Sequence, residues 1–199
     1  MKKIIVLAFV VLAFASGYSQ EQGKFRVGLD IGFVPSEGGG GAMFSLEPKY
    51  NINDNMNIGL RLGIAAIIKD LNTDGDSPSA KVSASGSYVG TYDYYFHKSG
   101  SSFAPYVGGG FGYYSLANVE VDETTGEGST TEYSPAVSGV FGGLIRGGFE
   151  WAGFRMGLEY NFLPDSDMEN SSGVVIGTAK NAYLGIHIGF FVGGGKWGK

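Results

Sequence analysis

A chain of 199 residues with a formal net charge of −5 has room for one closed β structure but not for two sizeable domains. The acidic balance, with no basic run longer than Lys2-Lys3, argues against a nucleic-acid-binding surface. Cysteine is absent, which removes disulfides, thiol catalysis, Cys-ligated metal and a lipoprotein anchor together. The 35 glycines follow no Gly-X-Y repeat, so collagen is excluded, and 14% aromatic residues is too many for a disordered chain.

Met1–Ser19 reads as a secretory signal peptide: Lys2-Lys3 is the charged start, Ile4–Ala15 the apolar run, and Ser16–Ser19 the small-residue exit. Ile4–Ala15 falls short of the ~20 apolar residues of a spanning helix, and no other window reaches that length. A mature protein (residues 20–199) in a membrane is therefore expected to be a barrel, because a barrel satisfies every backbone group without helices.

Period-two alternation then runs through the chain, as strand side chains alternate between faces. Phe25, Val27, Leu29, Ile31 and Phe33 alternate with Arg26, Gly28, Asp30 and Gly32. Ala42, Phe44, Leu46, Pro48 and Tyr50 alternate with Met43, Ser45, Glu47, Lys49 and Asn51. Met56 to Ala66 alternates with Asn57, Gly59, Arg61, Gly63 and Ala65. In Val82–Phe96, Tyr88, Tyr92, Tyr94 and Phe96 oppose Ser83, Ser85, Ser87, Thr91 and Asp93. Phe103–Ala117 sets Phe103, Val107, Phe111 and Tyr113 against Gly108, Gly110 and Gly112. Ala136–Trp151 sets Phe141, Ile145, Phe149 and Trp151 against Ser138, Gly142, Arg146 and Glu150. Phe154–Phe162 is the cleanest: Phe154, Met156, Leu158, Tyr160 and Phe162 against Arg155, Gly157, Glu159 and Asn161. The last strand sets Leu184, Ile186, Ile188 and Phe190 against Tyr183, Gly185, His187 and Gly189. The pattern predicts eight strands.

Short turns at Asn51–Asn55, His97–Ser102 and Ala152-Gly153 alternate with longer polar segments at Ser36–Gly41, Lys69–Ala80, Asn118–Pro135 and Leu163–Lys180. That rhythm is expected of an outer-membrane barrel, with short periplasmic turns and long outer loops. Val119/Val121 and Thr131/Tyr133 suggest that the third long hairpin continues beyond the membrane. A lipocalin-like barrel would show the same alternation with its apolar face inward. Aromatics near strand ends and both charge signs on the glycine-rich face favour apolar-out. Arg or Lys facing lipid at the midplane costs about 2–4 kcal/mol, so Arg26, Lys49, Arg61, Arg146 and Arg155 are expected to share a lumen with Asp30, Glu47, Asp93, Glu150, Glu159 and His187.

Tyr183-Leu184-Gly185-Ile186-His187-Ile188-Gly189-Phe190 and Pro105-Tyr106-Val107-Gly108-Gly109-Gly110-Phe111-Gly112-Tyr113 resemble segments of the small outer-membrane β-barrel family typified by the OmpA membrane domain, OmpX and OmpW. The resemblance spans Lys24 to Phe191. It implies an all-β, eight-stranded antiparallel up-and-down transmembrane barrel. It also implies that Tyr183, Gly185, Ile188 and Phe190 form the signal read by the barrel-assembly machinery. The family's signal usually ends the chain, whereas here Val192–Lys199 follows.

The candidate chemistry is sparse. His187 as general base for a lumenal serine would suit a lipid-modifying enzyme, but an interior histidine in a polar network is the simpler reading. Glu150 and Glu159 flank the Ala152-Gly153 turn and could face each other across it; ion-pair ladders of Arg155 with Glu159 and Arg146 with Glu150 explain them better than acid–base work. Two histidines and no cysteine make a transition-metal site improbable. Asn72–Asp76 has its glycine too early for a calcium loop, and the glycine runs at 38–41 and 108–110 open no helix to hold phosphate. No cofactor is expected. The acidic outer segments read as solvated surface, with cation bridging to lipopolysaccharide conceivable. Three functions are compatible: a structural or surface-interaction barrel touching lipid, lipopolysaccharide or a surface protein; OmpW-like passage of small apolar solutes, for which the glycine face of Phe103–Ala117 would leave room; and, least, lipid modification.

Overall fold

The computed structural model describes residues 21–36, 39–71, 79–97, 101–122, 136–169 and 175–195. The leader, Gly38, the Asn72–Asp76 segment, the Thr131/Tyr133 pair and Glu123, Glu127 and Glu132 lie outside the described residues. Ten strands follow in order: β1 (Phe25–Ser36), β2 (Gly39–Asn53), β3 (Met56–Leu71), β4 (Ser79–Tyr95), β5 (Phe103–Asp122), β6 (Ala136–Trp151), β7 (Phe154–Phe162), β8 (Ser166–Glu169), β9 (Val175–Ala179) and β10 (Tyr183–Gly193). Eight of them close a barrel of antiparallel neighbours, β1-β10-β7-β6-β5-β4-β3-β2, sealed where β1 pairs with β10. Closure leaves no unpaired edge within the barrel, as a lipid environment requires.

The alternation sets the orientation of every barrel strand. Along β7 the pattern is strictly alternate: Arg155, Gly157, Glu159 and Asn161 are buried, while Met156, Leu158, Tyr160 and Phe162 are exposed. A slip of one residue would put those charges into lipid, so the register is pinned by the burial of one face. Around the inner rim, rings from neighbouring strands touch in series: Phe103 with Phe149, Phe149 with Phe154, Phe154 with Phe190. Phe25 with Tyr50 continues this belt on β1 and β2. An aromatic girdle at this level is what a membrane–water interface selects.

The β6–β7 turn has two residues, Ala152 (φ +48°) and Gly153 (φ +88°), the left-handed pair that a two-residue hairpin demands. The opposite rim departs from expectation. The first long segment shrinks to residues 37–38, because β1 runs to Ser36 and β2 starts at Gly39. The third does extend upward, but β5 from Val119 to Asp122 pairs with β4, and the pairing of β5 with β6 ends at Asn118↔Ala136. The last long segment holds a separate two-stranded sheet, β8–β9. Runs of four and five residues, one polar (Ser166–Glu169) and one mainly apolar (Val175–Ala179), are too short to carry a period-two signal.

Candidate functional site: the filled lumen

Each inward-facing position is set by strand parity, and together these positions bring Arg26 and Asp30 (β1), Glu47 and Lys49 (β2), Arg61 (β3), Asp93 (β4), Arg146 and Glu150 (β6), Arg155 and Glu159 (β7) and His187 (β10) into the lumen, all buried. Five cations thus meet five carboxylates. The core of the cluster is Arg146. Its Nη2 and Nη1 donate to Glu47 Oε1 (2.7 Å) and Oε2 (3.1 Å), and its Nε and Nη2 donate to Asp93 Oδ1 (2.8 Å) and Oδ2 (2.9 Å). Glu47 also takes Lys49 Nζ at 3.2 Å, Arg155 Nη1 at 3.2 Å and the Thr91 hydroxyl at 2.6 Å. Lys49 pairs in addition with Asp93.

Towards the inner mouth, Glu150 accepts from Arg26, from the Tyr95 hydroxyl (2.9 Å) and from Arg155 Nε (3.2 Å). The Arg26 guanidinium lies over the Phe191 ring, 3.9 Å from its centroid. Towards the outer side, Arg61 donates to Glu159 (2.7 Å), which also accepts from Asn161 (2.9 Å), and Tyr114 donates to Asn161 (2.9 Å). Charge-assisted bonds between buried groups are strong, and sharing each carboxylate among several donors offsets the cost of burying it.

The pairing differs from the expected ladders. Backbone register sets Glu150 opposite Arg155 and Arg146 opposite Glu159, so the two glutamates do not face each other. No ion pair joins Arg155 to Glu159 or Arg146 to Glu150 among the described residues; Arg146 reaches β2 and β4, and Glu159 reaches Arg61 on β3. Lys24 precedes β1 and is exposed. The glycine face of β5 leaves no room either: a side-chain carbon on Gly108 would collide with the Asp93 carboxylate, and one on Gly110 would meet Val89 and Thr91. The same strand turns Tyr106 and Tyr114 inward, both buried. His187 Nε2 lies 3.3 Å from the Tyr106 hydroxyl and its Nδ1 3.7 Å from Glu159 Oε2, within the polar network.

Above the charges lies an apolar layer that the parity of charged residues alone did not announce: Val34, Met43, Val89, Leu116, Leu144 and Leu163 are its main members, all buried. Inward parity at each would have found them. Of the proposed assembly signal, Tyr183 and Gly185 face the lumen, while Ile188 and Phe190 are exposed on the outer face. β10 continues past Phe190, with Val192 opposite Val27 and Gly193 opposite Arg26.

A closed antiparallel barrel with a lipid-compatible exterior and a lumen packed with paired charges is a transmembrane β-barrel of the eight-stranded class. The profile of the outer membrane protein beta-barrel domain matches residues 4–165, and the chain belongs to that family of outer-membrane proteins. Among solved structures it is similar in fold to the outer membrane protein OprG from Pseudomonas aeruginosa, at 12% identity over 88% of this chain and 97% of that one, with a TM-score of 0.55. Neisserial surface protein A (NspA) aligns at 15% identity over 86% and 97%, with a TM-score of 0.49. The N-terminal β-barrel domain of Pseudomonas aeruginosa OprF aligns at 15% identity over 86% and 99%, with a TM-score of 0.45. No curated protein sequence matches the chain.

Proposed function

We propose that this outer-membrane barrel is non-enzymatic, holds a closed lumen, and acts through its outward segments as a structural or surface-interaction protein. The leader Met1–Ser19 would carry it to the periplasm, and the last strand would present Tyr183, Gly185, Ile188 and Phe190 to the assembly machinery. Lipid, lipopolysaccharide or a surface protein would be its partners. One observation carries the reading: five cations and five carboxylates, paired and buried across the full width of the barrel, lie beneath an apolar layer. Such a plug would leave no continuous aqueous path among the described residues, and the room that passage of apolar solutes required on β5 is taken by Asp93, Val89 and Thr91. His187 touches Tyr106 and Glu159, which fits a packing role better than catalysis.

Reconstituted in planar bilayers, the protein is expected to give no sustained conductance; stable single-channel openings would overturn the closed lumen and favour transport. His187→Ala is expected to leave the acylation of outer-membrane lipid unchanged in cells. A changed acylation pattern would overturn the non-enzymatic reading.

A further inference from the structure

The residues that follow the expected assembly signal have a defined course. Gly193, Gly194 and Gly195 carry φ of +87°, +93° and +82°, three successive left-handed residues that only glycine adopts without strain. They turn the chain inward over the β1–β2 side of the inner mouth of the barrel, above Arg26 and Asn51. There Gly194 N donates to Phe25 O (2.9 Å), and Glu21 N donates to Gly194 O. Asn51, buried at the foot of β2, donates through Nδ2 to both Glu21 O and Gly194 O, each at 3.0 Å, while its own carbonyl accepts from Gly23 N (2.9 Å). With Asn51 N donating to Lys24 O (3.0 Å), six hydrogen bonds tie the segment before β1, the end of β10 and Asn51 into one strap.

Beneath this strap is the least satisfied part of the charged cluster. Arg26 lies directly under Gly194, where a side-chain carbon would be 3.4 Å from Arg26 Cβ and Cδ. Arg26 Nε and Nη1 and Glu150 Oε2 are buried without a hydrogen-bond partner. Water would satisfy all three, so lifting the strap trades its own bonds against hydration of the Arg26–Glu150 pair. Only the last pair of the β1–β10 ladder, Arg26 with Gly193, belongs to the hook; the pairing from Val27 to Phe33 lies above it.

We infer that the glycine hook is a periplasmic lid on the lumen: residues 193–195, held by Asn51, close the inner mouth, and their release admits water to the charged interior while the barrel stays closed. The inference rests on the lumen being filled, which bilayer recording tests; the hook itself is tested by labelling. Because the chain has no cysteine, a single one reports its own site. Asn57→Cys places it at a buried position whose register partner is Asn51. In detergent-refolded full-length protein, the rate of its modification by a small charged thiosulfonate is compared with and without Asn51→Ala or Gly194→Val. Asn51→Ala removes two of the six bonds, which raises the open population roughly tenfold. The expected result is labelling faster by about that factor in both variants, with the mobility difference between unheated and boiled samples retained. Unchanged labelling in folded variants overturns the lid. Loss of the mobility difference in both variants also overturns it, since the hook would then hold the barrel itself.

Discussion

Removing Arg146 is the sharpest test of the plug. Arg146→Ala deletes four charge-assisted hydrogen bonds and leaves Glu47 and Asp93 to share Lys49, with Arg155 as the only other cation on Glu47. The interior balance falls from five against five to four cations against five carboxylates. Removing one partner of a buried pair leaves an uncompensated charge, at a cost of about 3–5 kcal/mol. The matched double variant Arg146→Met, Asp93→Asn restores equal numbers and refills the volume. Its loss is expected to be smaller than the sum of the single losses by about 1–3 kcal/mol. Reversible urea unfolding in lipid vesicles, followed by tryptophan fluorescence and gel mobility, measures both quantities. A loss under about 1 kcal/mol for Arg146→Ala, or strict additivity in the double variant, would refute a mutually dependent cluster.

Three further outcomes follow from the same geometry. Leu158→Arg, at the centre of β7 on the outer face, should cost about 2–4 kcal/mol in vesicles, whereas Phe25→Arg at the inner rim should cost about 0–1 kcal/mol; equal penalties would contradict the assignment of the lipid layer. Gly108→Ala should drive the Asp93 carboxylate off Arg146 and Lys49 and cost about 1–3 kcal/mol by the same unfolding assay, and a neutral result would mean that the close packing there is not required. Ala152→Asn should raise stability by about 1 kcal/mol, because the left-handed φ of +48° strains alanine; a loss instead would show that the turn is not of this type.

The wall of the barrel was legible because each strand writes its two faces in alternate letters, so Phe154–Phe162 alone states where lipid lies. Which charges meet was not legible. Arg146 finds Glu47 and Asp93, residues of two strands that are not its neighbours in the sheet, and only the closure and stagger of the whole barrel bring them together. Local spacing pointed instead to Glu150 for Arg146 and to Glu159 for Arg155, each on its own strand of the β6–β7 hairpin. The apolar layer is harder to read for a related reason: Val89, Leu116 and Leu144 sit at inward parity beside Met43 but carry side chains that, read singly, look lipid-facing. The hook at 193–195 gives no periodic signal at all, only three successive glycines.

The pairing across the lumen also constrains how this protein enters a bilayer. Arg26 and Glu150 are 124 residues apart, and Arg146 and Glu47 are 99 apart. Neither arginine has its carboxylate until strands from both halves of the sequence have come together. A single strand carrying Arg26 or Arg155 could not cross the apolar layer alone without showing that charge to hydrocarbon. Insertion and closure must therefore be one event, with the sheet curling round its own charges as it leaves water.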